Sequence, residues 1–463
     1  MGSGPNGLAA AIVLQRAGWE VTVHERAPTV GGASRSGQIT LPGFTHDLGA
    51  AVHPLGINSP LFRDLPLAEH GLTWVHPEVL LAHPLDGGRA AALYRSLDDT
   101  CAGLGEDGAR YRRIVGQVVA DWGDLEDAIL GPLIRLPRHP LKLARFGTMA
   151  LPPATWYSRV FRTDEARALF AGLAAHTPMP LNRFGNSAVA LVLAASGHIR
   201  GWPVAGGGSG SITDSLASYF RTIGGEVITD DEVTDLSRFD PRATVVLDTD
   251  VHSAVTIARD RMSATVSRQL ARHLHGPGLC KVDYALSDPV PWDAEVCRRA
   301  GTIHVGGTVG EIAAAEAQVW AGRVPDRPFV IAAQPSLFDA GRAPEGRHVL
   351  WAYCRVPVGS DVDASAAIDA QVERFAPGFS ATILKRHVTT SHDLERWDPN
   401  LVGGDIGGGR TDRLRMILRP RFALDPYRLG DGVYLCSSVT PPGPGVHGMS
   451  GFHAAASVLR SDT

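Results

Sequence analysis

Apolar and polar positions follow two different periods near the start of the chain. Residues 8–17 form an apolar stretch of helical character, Gly18 ends it, and residues 19–24 resemble a β-strand. The order recurs near the other end, where a short strand at 433–436, a glycine-rich loop and a helix of small residues at 452–459 follow one another. Alternating strands and helices predict an α/β fold.

The middle of the chain has other patterns. Helical periodicity covers 97–104, 111–125 and 165–175, interrupted by a proline-rich stretch at 131–153. Patterns typical of strands occur at 226–229, 232–236, 244–247, 281–285, 329–333 and 348–355. A further helix is predicted at 364–375. We predict a discontinuous Rossmann-type domain at 1–58, 201–280 and 419–463. An inserted α+β substrate domain with a mixed sheet would take up 59–200 and 281–418.

Composition narrows the function classes. The chain has 463 residues, more than one compact core usually holds, and 44% of them are hydrophobic. A formal net charge of −4 supplies no basic field for nucleic acid. No uninterrupted apolar run approaches the roughly 18 residues of a spanning helix. We therefore expect a cytoplasmic protein that does not bind nucleic acid.

Cysteine and histidine spacing argues against a metal centre. The five cysteines include no CxxC pair, and the 18 histidines include no HExxH motif. His273 and His275, on either side of Leu274, have no acidic or cysteine neighbour to complete a site. We predict buried thiols and no metal.

The first seven residues carry the main chemical signal. Gly2, Gly4 and Gly7 form a GxGxxG loop that leads into the predicted helix, and Glu25 follows Gly7 by 18 residues. Such a loop lets a pyrophosphate approach the backbone at a helix N-terminus, and the acid binds a ribose hydroxyl. The motif normally follows a buried strand, and this chain begins at the turn. We expect a start placed too far downstream rather than a true truncation.

Two further glycine segments strengthen the prediction of a dinucleotide site. Gly31 and Gly32, followed by Ser34 and Arg35, offer backbone N–H groups and a cation to a pyrophosphate, although an ordinary turn has the same composition. The turn at 448–451 would bring a second helix N-terminus to the same region. The glycine-rich stretch at 201–210 lacks both a preceding strand and the third glycine of a second fingerprint.

Four stretches together carry a family resemblance: MGSGPNGLAAAIVLQRAG, VTVHERAPTVGGASRS, GWPVAGGGSGSITDSL with IGGEV, and VYLCSSVTPPGPGVHGMSGFHAA. They resemble the FAD-dependent phytoene desaturase and carotenoid ketolase branch of the flavin amine oxidase superfamily. DPNLVGGDI and PPGPGVHGMSG are similar to stretches in its NAD(P)/FAD-dependent oxidoreductases. The resemblance implies FAD as cofactor, a substrate domain inserted into the FAD domain, and flavin chemistry on an apolar small molecule.

The resemblance also implies roles for individual positions. The FAD pyrophosphate would be held by Gly2, Ser3, Gly4 and Gly7, and the adenosine ribose side by Glu25 and Arg26. The phosphates and the ribityl chain would be bound by Gly31, Gly32, Ser34 and Arg35, and the adenine would contact Val233. The ribityl chain and the isoalloxazine would be lined by Gly445, Val446, His447, Gly448 and Met449. Ser437 and Ser438 depart from the small residues that many members carry there.

The predicted reaction is desaturation of a lipophilic substrate, such as a carotenoid-like polyene, by hydride transfer to the flavin. His447, His53 and Asp405 are the catalytic candidates, with Arg35 as a further polar candidate, and each has a structural role as its alternative. A rival interpretation is amine oxidation, for which Trp351, Tyr353, Trp397 and Tyr434 could supply an aromatic cage. A third is a non-catalytic homologue that acts as an interaction protein.

One segment raises the question of membrane contact. Residues 133–146 mix leucines with Arg135, Arg138, Lys142 and Arg145, which would let a surface helix rest on anionic lipid. A solvated basic face is the alternative.

Overall fold

A computed structural model describes residues 1–132, 134, 136–412 and 415–461. The helices are α1 (Pro5–Arg16), α2 (Pro54–Asn58), α3 (Pro60–Asp64), α4 (Leu97–Gly103), α5 (Gly108–Ile129), α6 (Pro140–Ala150), α7 (Ala154–Tyr157), α8 (Asp164–Ala174), α9 (Asn186–Arg200), α10 (Gly210–Thr222), α11 (Val251–Ile257), α12 (Ala264–Leu270), α13 (Val309–Trp320), α14 (Ser365–Phe375), α15 (Phe379–Thr382), α16 (Ser391–Trp397) and α17 (Met449–Ser461). The strands are β1 (Thr22–His24), β2 (Ser36–Gly37), β3 (His46–Asp47), β4 (Trp74–Val75), β5 (Val79–Leu85), β6 (Arg89–Leu93), β7 (Val204–Ala205), β8 (Glu226–Ile228), β9 (Val245–Leu247), β10 (Gly278–Leu286), β11 (Ala300–Val305), β12 (Val330–Ala333), β13 (His348–Val356), β14 (Ile383–Thr389), β15 (Arg428–Gly430) and β16 (Val433–Leu435).

Two small sheets flank the first residues of the chain. β1 pairs in parallel with β8, and β16 pairs in parallel with β9 and antiparallel with β15. Gly2 N–H donates to His24 O at 2.8 Å, and Asp248 N–H donates to Met1 O at 2.8 Å, so residues 1–2 lie between β1 and β9. Because α1 packs against both α10 and α17, the two ends of the chain meet. The predicted Rossmann-type architecture is confirmed.

The second sheet has seven strands in the order β14-β10-β13-β12-β11-β5-β6. β11 and β5 are parallel and the other neighbours are antiparallel, which confirms a mixed sheet. The sequence predicted only helices between residues 59 and 200. The hairpin of β5 and β6 corrects that prediction, although the domain boundaries themselves stay a prediction.

Each face of this sheet buries a separate core. One face packs against α14 and α15 through Ile368, Val372 and Phe379. The other packs against α5, α8 and α9, and its core also contains Ala51 of the first domain. The second core therefore adjoins residues 49–53, where the substrate region meets the dinucleotide-binding region.

The strand predicted at 232–236 is wrong. These residues form an irregular segment, in which Asp235 accepts a hydrogen bond from Ser237 N–H at 2.9 Å. Asp231, next to the segment, binds His24 at 2.6 Å and Arg238 at 2.7 Å. Alternation alone does not make a strand where no neighbouring strand is available to pair with it.

The basic stretch at 133–146 is only partly a helix. Leu133 and Arg135 lie outside the described residues, and α6 begins at Pro140. Arg138, Lys142 and Arg145 form ion pairs with Asp127, Asp124 and Asp121 respectively, all on α5. Lys142 and Arg145 therefore link α6 to α5, and Arg138 links the segment before α6 to α5. Across the described residues, no helix is long and apolar enough to cross a membrane.

Candidate functional site

The first glycine loop lies at the N-terminus of α1. Gly2 has a φ of 90°, which favours glycine, and the helix begins at Pro5, whose fixed φ suits a first helical position. Gly7 N–H donates to the carboxylate of Asp248 at 2.8 Å. A Cβ on Gly7 would lie 2.1 Å from Gly2 O, so only glycine permits this tight loop.

Glu25 is held in place beside the first glycine loop. Its Oε2 accepts hydrogen bonds from Ser3 N–H at 2.8 Å and from Ser3 Oγ at 2.6 Å, and its Oε1 accepts one from Ala27 N–H at 2.8 Å. The carboxylate thus lies at the end of β1 next to the turn. The ribose role of Glu25 stays a prediction.

The second glycine segment packs directly on the first. Gly31 N–H donates to Ser3 O at 3.1 Å, and a Cβ on Gly32 would lie 3.1 Å from Gly4 Cα. Gly31 and Gly32 have φ values of 128° and 52°. A Cβ on Gly32 would push the two segments apart, whereas glycine lets their backbones touch.

Ser34 and Arg35 bring polar groups to the same place. Ser34 Oγ is buried and has no hydrogen-bond partner among the described residues. Arg35 donates to Gly32 O at 3.0 Å, and its guanidinium lies 4.6 Å from the ring centroid of Trp397. Arg26, by contrast, is exposed. The second segment thus supplies a hydroxyl and a cation beside the helix N-terminus.

The third glycine segment precedes α17. Gly445 and Gly448 have φ values of 137° and 67°. A Cβ on Gly451 would lie 1.9 Å from Asn6 O, so α17 approaches α1 as closely as backbones allow. A Cβ on Gly448 would lie 3.0 Å from Ala9 Cβ, so the third segment also contacts α1 there. The cofactor roles of Gly445, Val446, His447, Gly448 and Met449 stay a prediction.

His447 caps the helix that follows it. Its Nδ1 accepts a hydrogen bond from Met449 N–H at 3.0 Å, and burial lowers the pKa of His447 to about 4. A neutral ring that satisfies a helix N-terminus has a structural function. This geometry favours the structural alternative over catalysis for His447.

His53 presents a different picture. The Ser209 hydroxyl donates to Ala50 O at 2.6 Å, so it accepts from His53 Nε2–H at 2.7 Å. The other ring nitrogen, Nδ1, therefore carries a lone pair and has no hydrogen-bond partner among the residues that the structure covers. Burial lowers the pKa of His53 to about 4. His53 is thus a neutral, buried side chain with one free acceptor.

Asp405 organises loops. Its carboxylate accepts hydrogen bonds from the backbone N–H groups of Gly276, Gly407 and Gly409, each at 2.7 Å. Burial would raise the pKa of Asp405, but His275 and these N–H groups hold the pKa below its ordinary value. The hydrogen bonds to this anion come from the backbone of its own loops, which favours the structural alternative for Asp405.

The candidate adenine contact, Val233, is half-buried in the irregular segment after β8.

Two carboxylates at the glycine loops escaped the sequence analysis. Asp248 follows β9, and burial raises the pKa of Asp248 to about 6. Asp398 follows α16, its pKa is also raised by burial, and a Cβ on Gly32 would lie 4.0 Å from its Oδ2. The end of the predicted strand at 244–247 was the available signal for Asp248, because the carboxyl ends of parallel strands share one edge.

The residues fit a dinucleotide. Three glycine segments converge on the N-termini of α1 and α17, with a cation from Arg35 and an unpartnered hydroxyl from Ser34. Backbone N–H groups at a helix start favour a phosphate. Two carboxylates oppose an anion here: that of Asp248, which already accepts the N–H of Gly7, and that of Asp398 beside Gly32.

The aromatic candidates divide into separate groups. Trp351 and Tyr353, on β13, lie with ring centroids 5.1 Å apart, and Trp351 Nε1–H donates to Gly49 O at 3.0 Å. Trp397 stacks with Arg35, and Tyr434 belongs to the core between α1 and α17. Only Trp351 and Tyr353 therefore form a pair, and they lie beside residues 49–53.

The fold and its glycine segments define a dinucleotide-binding α/β protein, and residues 1–65 match the family described as an NAD(P)-binding Rossmann-like domain. The pyridine nucleotide-disulfide oxidoreductase domain-containing protein 2 of Rattus norvegicus is 24% identical over 99% of this chain and 92% of its own length. The 4,4′-diapolycopen-4-al dehydrogenase of Metabacillus indicus is 32% identical, over 30% of this chain and 29% of its own.

A solved structure extends the comparison to the whole fold. A triple mutant of putrescine oxidase has a TM-score of 0.64 at 16% identity, with 99% of this chain and 98% of that chain covered. At this identity the likeness concerns the fold alone. The sequence matches support an oxidoreductase of the FAD/NAD(P)-binding superfamily.

Proposed function

We propose that this protein is an FAD-dependent oxidoreductase that dehydrogenates a lipophilic substrate. The observation that carries the proposal is the convergence of three glycine segments on the N-termini of α1 and α17. A dinucleotide needs such a cradle, because its pyrophosphate must approach backbone N–H groups without side chains in between.

In this proposal each segment holds one part of the cofactor. Gly2, Ser3, Gly4 and Gly7 bind the pyrophosphate, Glu25 binds the ribose, Ser34 and Arg35 bind phosphate and ribityl oxygens, and residues 445–449 line the isoalloxazine. FAD, when bound, supplies two-electron oxidation of a C–H bond by accepting a hydride. The protein's own contribution is position, exclusion of water and acceptance of a proton.

The substrate region suits an apolar molecule. The core between the seven-stranded sheet and α5, α8 and α9 contains Leu279, Ile331 and Trp351 beside Ala51, and these side chains are buried. A lipophilic substrate bound against this packed core would contact apolar side chains. His53, with its free Nδ1, is the group that would take up the proton released on dehydrogenation.

An absorbance spectrum of the purified protein, with mass identification of any released cofactor, tests the proposal. We expect flavin bands and FAD. A protein that stays colourless after reconstitution with FAD would overturn it and would favour the interaction-protein alternative.

Amine oxidation is the second candidate, and one observation favours it. Asp283 lies opposite Trp351 in the register of β10 and β13, so both side chains share one face of the sheet. Its Oδ1 has no hydrogen-bond partner within the described part of the chain, although His46 Nδ1 lies 3.7 Å from it and Lys281 binds the other oxygen. A carboxylate oxygen beside two aromatic rings would suit an ammonium group.

Anaerobic reduction of the flavin separates the two candidates. Polyenes, fatty acyl lipids and aliphatic amines would be mixed in turn with the holoprotein while flavin absorbance is recorded. Bleaching by a polyene or lipid supports dehydrogenation of a lipophilic substrate. Bleaching by amines alone would replace that proposal with amine oxidation.

A further inference from the structure

Seven large apolar side chains from residues 136–184 and 422–424 are exposed to solvent. Each is more than half exposed, and Leu136 reaches 95%, Leu424 89% and Phe422 73%. The set, called the apolar patch below, consists of Leu136, Leu141, Leu151, Trp156, Phe184, Phe422 and Leu424. Single exposed apolar residues are ordinary in proteins, whereas a group of them indicates a contact surface.

Contacts between the segments bring the patch together. The rings of Trp156 and Phe184 lie 5.9 Å apart, and Gly185 N–H donates to Leu151 O at 2.8 Å. Pro132 and Ile134, near Leu136, line one crevice with Ile417 and Ala423, near Phe422 and Leu424. A Cβ on Gly185 would lie 2.9 Å from Met416 Cε, which joins these two groups of segments. The segments before α6, after α6 and around residues 184 and 416–424 therefore adjoin one another.

The charge on these segments has one sign. Residues 128–163 contain six arginines and lysines and no aspartate or glutamate, and residues 415–424 contain three arginines and no acid. Ion pairs to α5 and the ion pair of Arg415 with Asp412 neutralise part of this charge, and Arg419 is buried. Arg159 and Arg183, next in the chain to the Trp156 and Phe184 region, are exposed. An apolar surface bordered by cations complements an anionic lipid surface.

We propose that the apolar patch docks peripherally on an anionic lipid bilayer, with Trp156 and Phe184 at the level of the headgroups. Aromatic side chains favour that level of a membrane. A second copy of the chain is the poorer occupant, because a symmetric contact would set arginines of one copy against arginines of the other. The inference goes beyond the proposed function, and its test requires no turnover.

Vesicle cosedimentation tests the proposal. The full chain would be mixed with phosphatidylcholine vesicles that contain or lack phosphatidylglycerol. We expect binding to the anionic vesicles, and Trp156→Ser/Phe184→Ser should weaken it by about tenfold or more, because two rings no longer leave water. The matched control is Val358→Ser/Leu384→Ser, since these apolar residues are exposed on other elements and should leave binding unchanged.

A fluorescence measurement provides a second readout. All five native cysteines are buried, so a polarity-sensitive dye can be directed to Phe184→Cys. We expect its emission to shift to the blue on addition of anionic vesicles, and no shift for Leu384→Cys. Failure of the wild-type chain to bind anionic vesicles would overturn the proposal. Equal binding of anionic vesicles by the two double variants would also overturn it. So would a wild-type dimer that Trp156→Ser/Phe184→Ser dissociates and Val358→Ser/Leu384→Ser does not.

Discussion

Asp248 determines the charge that an incoming pyrophosphate meets. Its carboxylate accepts the N–H of Gly7, and burial raises its pKa to about 6. Above that pH the group is an anion at the place where a second anion must bind. Asp248→Asn keeps a carbonyl acceptor for Gly7 and removes the charge. We expect the variant to bind FAD about tenfold more tightly at pH 7.5, measured by fluorescence titration of the apoprotein.

The pH dependence of the wild type supplies the check on Asp248. As pH falls through about 6, Asp248 takes up a proton and FAD affinity should rise, and this rise should be absent from Asp248→Asn. Asp235→Asn, an exposed substitution, is the control and should behave as the wild type. Loss of FAD binding by Asp248→Asn would show that the carboxylate is needed.

The two ring nitrogens of His53 differ: Nε2 donates to Ser209, and Nδ1 is the proposed proton acceptor. His53→Gln keeps an N–H donor for Ser209 and removes the acceptor at Nδ1. We expect a loss of about 10²-fold in kcat with FAD content unchanged. His447→Gln should instead lower the melting temperature, because Nδ1 of His447 caps α17. A variant at His53 that keeps full kcat would exclude a role in proton transfer.

The residues found from the sequence are those whose chemistry is local. Gly2, Gly4, Gly7 and Glu25 share one turn and one strand, so their spacing alone indicates a nucleotide loop. Asp248 reaches the same loop from 241 positions away along the chain. Nothing in the spacing of one sequence reports such a contact. The roles of His447 and Asp405 likewise depend on backbone donors that only the folded chain brings together.

At the scale of elements, the contact between α1 and α17 is the most tightly constrained. A Cβ on Gly451 would lie 1.9 Å from Asn6 O. Gly451→Ala should therefore force the helices apart and destabilise the fold by about 1–3 kcal/mol, with weaker FAD retention. The control is Gly123→Ala on the exposed side of α5, where a Cβ meets nothing within 4 Å. That change should leave stability equal or raise it by roughly 0.5–1 kcal/mol.

Thermal unfolding followed by circular dichroism measures both glycine variants. A melting temperature for Gly451→Ala at or above that of Gly123→Ala would mean that the two helices can separate without cost. The close packing of α1 and α17 would then no longer support a single cofactor site between their N-termini.

Elements were predicted where their period is visible. Helices such as α5 and α14 have an apolar stripe, and β13 is long enough to be recognised. β5 was missed because all seven of its residues are buried, so no polar face alternates with an apolar one, and Pro84 within it argues against a strand. The alternating segment 232–236 was predicted as a strand for the opposite reason, since it alternates and has no partner.

At the scale of the whole molecule, the burial of neutral histidines sets the response to acid. Burial lowers the pKa values of His53, His83 and His447 to about 4 and that of His46 to about 3. In the unfolded chain each would titrate near 6.5. Between these values the unfolded state holds more protons, so stability falls as pH falls below about 6.5, by about 1.4 kcal/mol per pH unit for each histidine.

Buried carboxylates act in the opposite direction. Burial raises the pKa of Asp248 to about 6 and also raises those of Asp283, Glu316 and Asp398, so the folded state takes up protons there. These groups offset part of the histidine contribution. Other buried histidines add to it, because burial also lowers the pKa values of His176, His198 and His304. We expect a net loss of at least about 1.4 kcal/mol per pH unit between pH 6 and 5.

Melting temperatures from pH 8 to pH 4.5 test this balance. The curve should be flat near pH 8 and fall increasingly steeply below about pH 6.5, since the window is set by the unfolded value at its upper end and by the folded values near 4 at its lower end. His83→Gln removes one buried titrating group, so the free energy of unfolding should fall less steeply with pH, by about 1.4 kcal/mol per pH unit. His392→Gln, at an exposed position, is the control and should leave the slope unchanged. A melting temperature that rises on acidification would mean that the carboxylates outweigh the histidines, and that the buried polar groups of this molecule stabilise it against acid.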